Sequence, residues 1–321
     1  HAYRMAYLGG GSGAKVNYNR IRTTGNNTVY QHSIYIASGI TSYNVEIIGN
    51  DIQGQYGDSC VGAVISNHAA VDGFLVKNNL ISIDADKATA GCYGMASDNG
   101  TSDQRPNFFR NAVFSGNTII NGGAVSLSVT SCPYCVIENN VIINNWIGGW
   151  GVGIGITGVT RGQDDVSVAN TIRNNTVWYG PNVTGTTRGI DVGAFGGEGT
   201  GHIIANNTVS SAQSAGAMNC YRHDLPLSSY AFVNNNHCYA TGAYNFEYTR
   251  GSLSAWQAYA TSYGFDSASI TGVPLFVNAG TDFTPDTGSP LIGAGNNTNK
   301  ATLDFTGTTR PNPPAIGAYE H

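Results

Sequence analysis

The segment VEIIGNDI, Val45 to Ile52, contains the unit on which this sequence is built: a short apolar strand, then an asparagine, one residue and another apolar residue. The unit recurs along most of the chain at intervals of 23 to 38 residues. Self-similarity with a period of this size indicates a solenoid, a propeller or a repeat array. The aligned asparagines are Asn19, Asn50, Asn79, Asn117, Asn140, Asn175, Asn207 and Asn236.

The spacing of apolar residues within each unit is that of a β-strand. Val45, Ile47 and Ile52 alternate with polar or small residues, and no 3.6-residue apolar stripe occurs before Ser254. Asparagine tolerates the left-handed conformation of a turn, and its amide can bond to the asparagine of the next coil. The sequence therefore predicts an all-β, single-stranded parallel β-helix of about eight or nine coils, with an asparagine ladder.

A second strand precedes each asparagine unit. Examples are HSIYIAS (His32 to Ser38), VSLSVTS (Val125 to Ser131) and RGIDVGA (Arg188 to Ala194). Each coil then consists of a strand, a turn, a second strand, the asparagine turn, a short strand and a loop of variable length. Insertions in a solenoid collect on one face, which is often the binding face.

The repeats and the C-terminal runs GVPLFVN (Gly272 to Asn278) and AIGAYE (Ala315 to Glu320) resemble the right-handed parallel β-helix superfamily of secreted polysaccharide-active proteins, to which pectate lyases belong. The resemblance covers about Val16 to Cys238 through the repeats. It implies one domain, with coils over residues 1–250 and a closing segment over residues 251–321. It does not identify a substrate, because one fold supports many functions.

The composition agrees with an exported solenoid. Charged residues make up 11% of the chain and the net charge is −5, so the basic surface of a nucleic-acid-binding protein is absent. No apolar run approaches the roughly 18 residues of a membrane span. We therefore expect a secreted, extracellular or periplasmic protein, and the resemblance implies that its partner is a polysaccharide.

The six cysteines support export, because paired cysteines persist in oxidising compartments. Cys60 and Cys92 occupy matching places in consecutive coils, and neighbouring strands are about 4.8 Å apart, within the range a disulfide accepts. A second pair occupies inward positions of one coil. The third pair forms a Cys-Pro-Tyr-Cys run that we interpret as a closed turn, since no βαβ unit surrounds it. The predicted disulfides are Cys60–Cys92, Cys132–Cys135 and Cys220–Cys238.

The scarce charged side chains collect along the first strand of successive coils, between Arg161 and Arg250. In related β-helix enzymes the substrate groove follows this strand, so the resemblance implies a groove here. The predicted catalytic residues are Arg222, His223, Asp191 and Asp224. The predicted substrate-binding residues are Arg161, Arg188, Tyr221, Glu247 and Arg250. Asp164 and Asp165 are candidate Ca²⁺ ligands, since Ca²⁺ prefers oxygen donors.

Three functions fit this cluster. A lyase needs a base beside a uronate carboxyl and cations that neutralise it, and Arg222 or His223 could be that base. A glycoside hydrolase needs two carboxylates flanking the scissile bond, such as Asp191 and Asp224. A non-catalytic adhesin, surface or tailspike-like protein would bind glycans through aromatic side chains alone. The mixture of arginine, histidine and aspartate favours the lyase. The motifs of polygalacturonases and mannuronan epimerases are incomplete or absent, so no role transfers from them.

Overall fold

The computed structural model of the chain describes residues 5–8, 12–22, 32–37, 40–54, 60–97, 108–148, 150–157, 164–194, 199–213, 215–240, 244–245 and 251–321. Three parallel sheets run the length of these residues. Sheet 1 contains β1 (Met5–Leu8), β4 (Ile34–Ala37), β8 (Gly62–Asn67), β12 (Cys92–Ser97), β16 (Val125–Val129), β19 (Trp150–Thr157), β22 (Thr186–Ala194), β25 (Met218–His223) and β28 (Tyr244–Asn245).

The other two long sheets lie on either side of the asparagine turn. Sheet 2 contains β2 (Lys15–Asn17), β6 (Glu46–Ile48), β10 (Leu75–Lys77), β14 (Val113–Ser115), β17 (Val136–Glu138), β20 (Thr171–Arg173), β23 (His202–Ala205) and β26 (Tyr230–Asn234). Sheet 3 contains β3 (Arg20–Arg22), β7 (Asp51–Gln53), β11 (Leu80–Ser82), β15 (Thr118–Ile120), β18 (Val141–Asn144), β21 (Thr176–Tyr179), β24 (Thr208–Ser211), β27 (His237–Ala240) and β29 (Ile270–Thr271).

The remaining elements are short. A three-stranded parallel sheet contains β5 (Ser42–Tyr43), β9 (Val71–Asp72) and β13 (Phe109–Arg110), and an antiparallel pair contains β30 (Phe276–Asn278) and β31 (Asp282–Pro285). Helix α1 spans Leu253–Tyr259, and the 3₁₀ turns span Leu227–Ser229 and Thr261–Tyr263. The chain is thus almost entirely β-structure, as the alternating apolar pattern predicts.

Register between coils stacks like residues into files that fill the interior. In sheet 2, Ile47 pairs with Val76, which pairs with Phe114, and all three are buried. In sheet 3, Ile52 pairs with Ile81, which pairs with Ile119. A one-residue slip would move each of these side chains to the outer face, so burial fixes the register.

The predicted asparagine ladder is present. In each step, the Oδ1 atom of one ladder asparagine accepts hydrogen bonds from the backbone N–H and the Nδ2 atom of the preceding one. At Asn117 these bonds come from Asn79, at 3.0 and 2.9 Å, while the Nδ2 atom of Asn117 donates to Val76 and Asn140. The side chain therefore satisfies buried backbone groups at the turn.

The number of bonds in the ladder gives the number of coils. It runs from Asn19 to Asn236 through seven side-chain bonds, one for each turn of the chain. The prediction of a parallel β-solenoid is confirmed, and the described residues form about 7 turns rather than eight or nine. The expected number was larger because the strands at both ends belong to incomplete coils.

The residue before each ladder asparagine adopts the left-handed conformation, and these residues form an outer row. Their φ angles lie between 52° and 67°. Asparagine is the non-glycine residue best suited to this conformation, and glycine occupies it without strain. The outer row consists of Tyr18, Gly49, Asn78, Gly116, Asn139, Asn174, Asn206 and Asn235.

The C-terminal end of the ladder is closed by the segment that contains α1. The backbone N–H of Asn236 donates to the Ser269 hydroxyl at 2.8 Å, and its Nδ2 atom donates to Asp266 at 3.3 Å. Asp266 also accepts a bond of 2.7 Å from the indole of Trp256, which is buried on the helix. The open end of the core is therefore covered by an aromatic side chain and a bonded carboxyl group.

Beyond this cap, the chain returns along the outer row. The amides of Asn235, Asn206 and Asn139 donate to the carbonyls of Ala294, Asn296 and Leu303, at 2.9, 3.0 and 2.8 Å. We call residues 291–321 the strap. The buried guanidinium of Arg310 fixes it to the solenoid, because it bonds to the Asn139 amide oxygen at 2.8 Å and to Glu320.

All three predicted disulfides are present, with Cα–Cα distances of 5.2 Å for Cys60–Cys92 and 5.7 Å for both Cys132–Cys135 and Cys220–Cys238. Every cysteine of the chain is thus paired. Among the described residues, no helix is long and apolar enough to cross a membrane.

Candidate functional site

The alternation of inward and outward side chains is interrupted in sheet 1, and this interruption determines which side chains reach its outer face. Val152 pairs with Arg188, and Gly155 pairs with Asp191, while the intervening pair Ile154 and Ile190 is buried in the core. Arg188 and Asp191 are therefore on the same side of the strand although they are three residues apart. They meet there as an ion pair.

Four charged side chains from β22 and β25 converge at this point. The Nη1 atom of Arg188 lies 2.8 Å from the Oδ2 atom of Asp191, and the Nη1 atom of Arg222 lies 3.7 Å from the same oxygen. On its other edge, Arg222 donates from Nε and Nη2 to the two oxygens of Asp224, each at 2.8 Å. One guanidinium thus separates two carboxylates. We call these four residues the acid–guanidinium cluster.

Asp191 is the most buried member of the cluster. Its side chain is 1% exposed, whereas that of Asp224 is 22% exposed. Burial raises the pKa of the Asp191 carboxyl above its usual range, against the opposing charges of Arg188 and Arg222. Its Oδ1 atom has no hydrogen-bond partner within the described part of the chain. Asp191 is therefore a buried carboxyl group with one oxygen that lacks a hydrogen-bond partner and with an increased tendency to hold a proton.

An apolar surface adjoins the cluster. The Arg188 guanidinium lies over the Trp150 ring, 5.4 Å from its centroid. Val125 and Val152 lie in register with Arg188 on the outer face, and Tyr93 and Trp150 pack against them. The sequence offers Trp150 among the aromatic side chains that could stack on sugar rings, with packing under a loop as the alternative. Its place beside Arg188 follows from the register and not from the sequence.

His223 and Tyr221 lie inside the solenoid. The His223 ring stacks on Trp256 at 5.0 Å and contacts Tyr230 at 5.1 Å, and burial lowers the pKa of His223 to about 3. The Tyr221 hydroxyl donates toward the Asn207 carbonyl at 2.7 Å. Both side chains lie among buried core residues and not beside Arg188 and Asp191 on the outer face. We therefore assign them neither the role of a base nor that of a sugar contact.

The two candidate calcium ligands lie in a different part of the fold. Both oxygens of Asp165 are held by Arg110 of β13, at 2.5 Å from Nε and 3.1 Å from Nη2. Among the described residues, no three His, Cys, Asp or Glu side chains form a metal-binding group. The carboxylate of Asp165 is thus engaged by a guanidinium, and the calcium site at Asp164 and Asp165 stays a prediction.

The remaining predicted substrate-binding residues, Arg161, Glu247 and Arg250, lie outside the described residues. The structure thus brings together Arg188, Asp191, Arg222 and Asp224 of the predicted set. It separates these four from Asp165, Tyr221 and His223. His202, which lies in the sequence between Arg161 and Arg250, is also buried, and burial lowers its pKa to about 4.

Comparisons with known proteins do not extend these findings. No model of a known protein family matches the chain, and a search of curated proteins finds no match. The site must therefore be interpreted from its own geometry.

Proposed function

We propose that this protein is a secreted member of the pectate-lyase-like β-helix superfamily that cleaves a polysaccharide by acid–base hydrolysis at the acid–guanidinium cluster. The observation that carries the proposal is the pair of carboxylates on Arg222, one buried and one partly exposed. Glycoside hydrolases use two such groups on either side of the scissile bond. Charged residues are only 11% of the chain, so their convergence at one place favours a function.

Asp191 takes the role of the general acid. This role needs a carboxyl group that holds its proton near neutral pH, and burial shifts the pKa of Asp191 in that direction. Its Oδ1 atom, which is buried and has no hydrogen-bond partner among the described residues, is the one that would donate the proton to the leaving oxygen. Arg188 and Arg222 then stabilise the carboxylate that remains.

Asp224 takes the role of the second carboxylate. Its position beside Arg222 holds it in a fixed place at the partly exposed end of the cluster. Reachable from solvent, it acts as the base toward water or as the nucleophile, depending on the separation of the two groups.

The outer surface next to the cluster is suited to a sugar chain. Ser128 and Gly155 precede Asp191 in the same outward file, so small side chains leave room above the strands. Tyr93 and Trp150 flank this file and offer aromatic faces for sugar rings. Three disulfides are consistent with the oxidising compartment in which such substrates are met.

β-Elimination on a uronate is the second candidate. It is favoured by the two guanidinium groups of Arg188 and Arg222, which could neutralise a substrate carboxylate. However, this reaction lacks an accessible base in the cluster, because His223 is buried and both edges of the Arg222 guanidinium contact carboxylates. Hydrolysis needs no additional group and is therefore the first candidate.

A panel of neutral and uronate polysaccharides separates these functions. The purified chain is incubated with each polymer, and both new reducing ends and unsaturated uronate products are measured. Hydrolysis predicts new reducing ends without unsaturation, whereas elimination produces both. Binding without either product would show a non-catalytic glycan-binding protein and would overturn the cleavage proposal.

A further inference from the structure

A cavity of about 480 Å³ lies on a different face from the acid–guanidinium cluster, between the strap and the asparagine turn. Its floor is formed by sheets 2 and 3 where they meet at Asn78 and Gly116 of the outer row. Its wall is the loop of residues 302–307 in the strap. Asp304 holds this loop in shape, since it accepts the N–H groups of Thr306 and Thr308 at 2.9 and 2.8 Å.

The cavity begins where the strap stops covering the outer row. The amides of Asn139, Asn206 and Asn235 are each bonded to a strap carbonyl. The amide of Asn78 occupies the same left-handed position, with a φ of 55°, but makes no side-chain hydrogen bond to any described residue. A ligand in the cavity would therefore meet an amide that elsewhere in the row binds polar groups of the strap.

Lys77 is the positively charged residue of the cavity lining that forms no ion pair with a described residue. Two opposite charges that line it, Glu138 and Arg173, form a salt bridge at 2.8 Å, and Asp304 is engaged by backbone N–H groups. The ammonium group of Lys77 is exposed and has no ion pair or hydrogen bond within the described ranges. The ammonium group of Lys77 and the amide of Asn78 are thus exposed groups of the cavity that no described residue binds.

Apolar side chains complete the lining. Leu80 from β11 and Leu303 from the strap are 39% and 44% exposed, and they border the cavity from its two sides. An acidic sugar has the complementary chemistry: a carboxylate for a cation, hydroxyl groups for amide and salt-bridge atoms, and apolar C–H faces.

We infer that this cavity is a second, non-catalytic binding site for an acidic oligosaccharide. Lys77 binds the carboxylate, Asn78 and the Glu138–Arg173 pair bind hydroxyl groups, and Leu80 and Leu303 contact the sugar face. The residues that line the cavity support this site on their own, and the site does not depend on cleavage at the acid–guanidinium cluster. It would hold a polymer on one face of the solenoid while the groove engages it on another.

Calorimetric titration of the full chain with tetragalacturonate tests this site, with Asp191→Asn introduced throughout to prevent turnover. Lys77→Met removes the charge and keeps the length of the side chain. Asn78→Gly removes the amide and keeps the left-handed turn, since glycine stands at this place in the coils of Gly49 and Gly116. Lys87→Met is the matched control, because Lys87 is paired with Asp86 and does not line the cavity.

We expect Lys77→Met to weaken binding about tenfold or more and Asn78→Gly to weaken it about fivefold, with Lys87→Met unchanged. Cellotetraose, which has no carboxylate, should bind at least about tenfold more weakly than tetragalacturonate. Equal affinities for all variants, equal affinities for both sugars, or no binding of tetragalacturonate would each overturn the inference. Cleavage by the parent chain is measured separately. A failure of the groove proposal would abolish cleavage and leave tetragalacturonate binding unchanged, so it is distinguishable from a failure of this inference.

Discussion

Asp191 and Arg188 form an ion pair within a single strand, with 2.8 Å between Oδ2 and Nη1, because the two residues between them, Gly189 and Ile190, are both buried. The carboxylate is almost fully buried, and Arg188 is its nearest cation. Such a pair is costly to break from one side, since the remaining charge stays buried without its partner.

Replacing Arg188 by methionine should therefore destabilise the fold by about 3 kcal/mol. Loss of the cation should also raise the pKa of Asp191 further, because burial then acts with less opposition. Urea unfolding measures the first effect. Arg110→Met is the control, since it breaks the more exposed pair with Asp165 and should cost less than about 1 kcal/mol. Equal losses for both variants would contradict the burial argument.

The interior of the asparagine ladder should be more sensitive than its end. Asn117→Ala leaves the Asn79 donors and the Val76 carbonyl without partners in the core, so we expect a loss of about 3 kcal/mol or more. Asn19 lies at the N-terminal end of the ladder and is partly exposed, so Asn19→Ala should cost about 1 kcal/mol. Denaturant midpoints of the two variants provide the comparison, and a larger effect at Asn19 would argue against the ladder.

The stability of the protein should fall as the pH falls from about 6.5 toward 3. Burial lowers the pKa of His223 to about 3 and that of both His202 and His237 to about 4. The unfolded chain binds protons on these rings at a higher pH than the folded chain does. Their stabilising effect is therefore complete above pH 6.5 and is lost as acid protonates the unfolded state.

His223→Phe isolates one of these rings. It keeps an aromatic ring against Trp256 and removes the titration, so the slope of stability against pH should decrease by about 1.4 kcal/mol per pH unit between pH 6 and 4. Thermal unfolding over that range measures the slope. Asp191 and Asp266 act in the opposite direction, since their raised pKa values favour the folded state in acid, and the substitution leaves both unchanged. An unchanged slope would place His223 outside the core.

The disulfides should differ in their contribution to stability according to the loop each closes. Cys60 and Cys92 are separated by 32 residues, whereas Cys132 and Cys135 are separated by three. In the chain-entropy model, removal of the first bridge costs about 3–4 kcal/mol and removal of the second about 2 kcal/mol. Paired substitutions to alanine, followed by guanidinium unfolding, test this order. Peptide mapping without reduction should recover both pairings in the parent.

Most of the architecture could be predicted from the sequence because the asparagine side chain at each turn marks where one coil stacks on the next. An asparagine is needed at every turn to bond the next coil, so Asn50, Asn79 and Asn117 align in the sequence as they stack in the structure. The disulfides could also be predicted, since stacking brings matching positions together. The strap was missed as a binding partner of the outer row, because its contacts connect residues far apart in the sequence. The bond between Asn235 and Ala294 spans 59 positions, and that between Asn139 and Leu303 spans 164.

The site was only partly predictable, because the alternation of inward and outward side chains is interrupted in β25. Simple alternation places Cys220 and Tyr221 on opposite faces of this strand, yet both are buried. As a result, His223 lies in the core while Arg222 stays outside. A similar limit applies to Asp165, whose partner Arg110 precedes it by 55 residues and could not be named from local sequence.

The most direct test of the account compares cleavage by Asp191→Asn and Asp165→Asn on the polysaccharide that the parent degrades. Both substitutions replace an aspartate bonded to an arginine, but only Asp191 belongs to the acid–guanidinium cluster. Because asparagine cannot donate the proton, the rate of reducing-end release by Asp191→Asn should fall at least about 100-fold, with its fold retained, while Asp165→Asn keeps the parent rate. A folded Asp191→Asn variant with the parent rate would contradict the account.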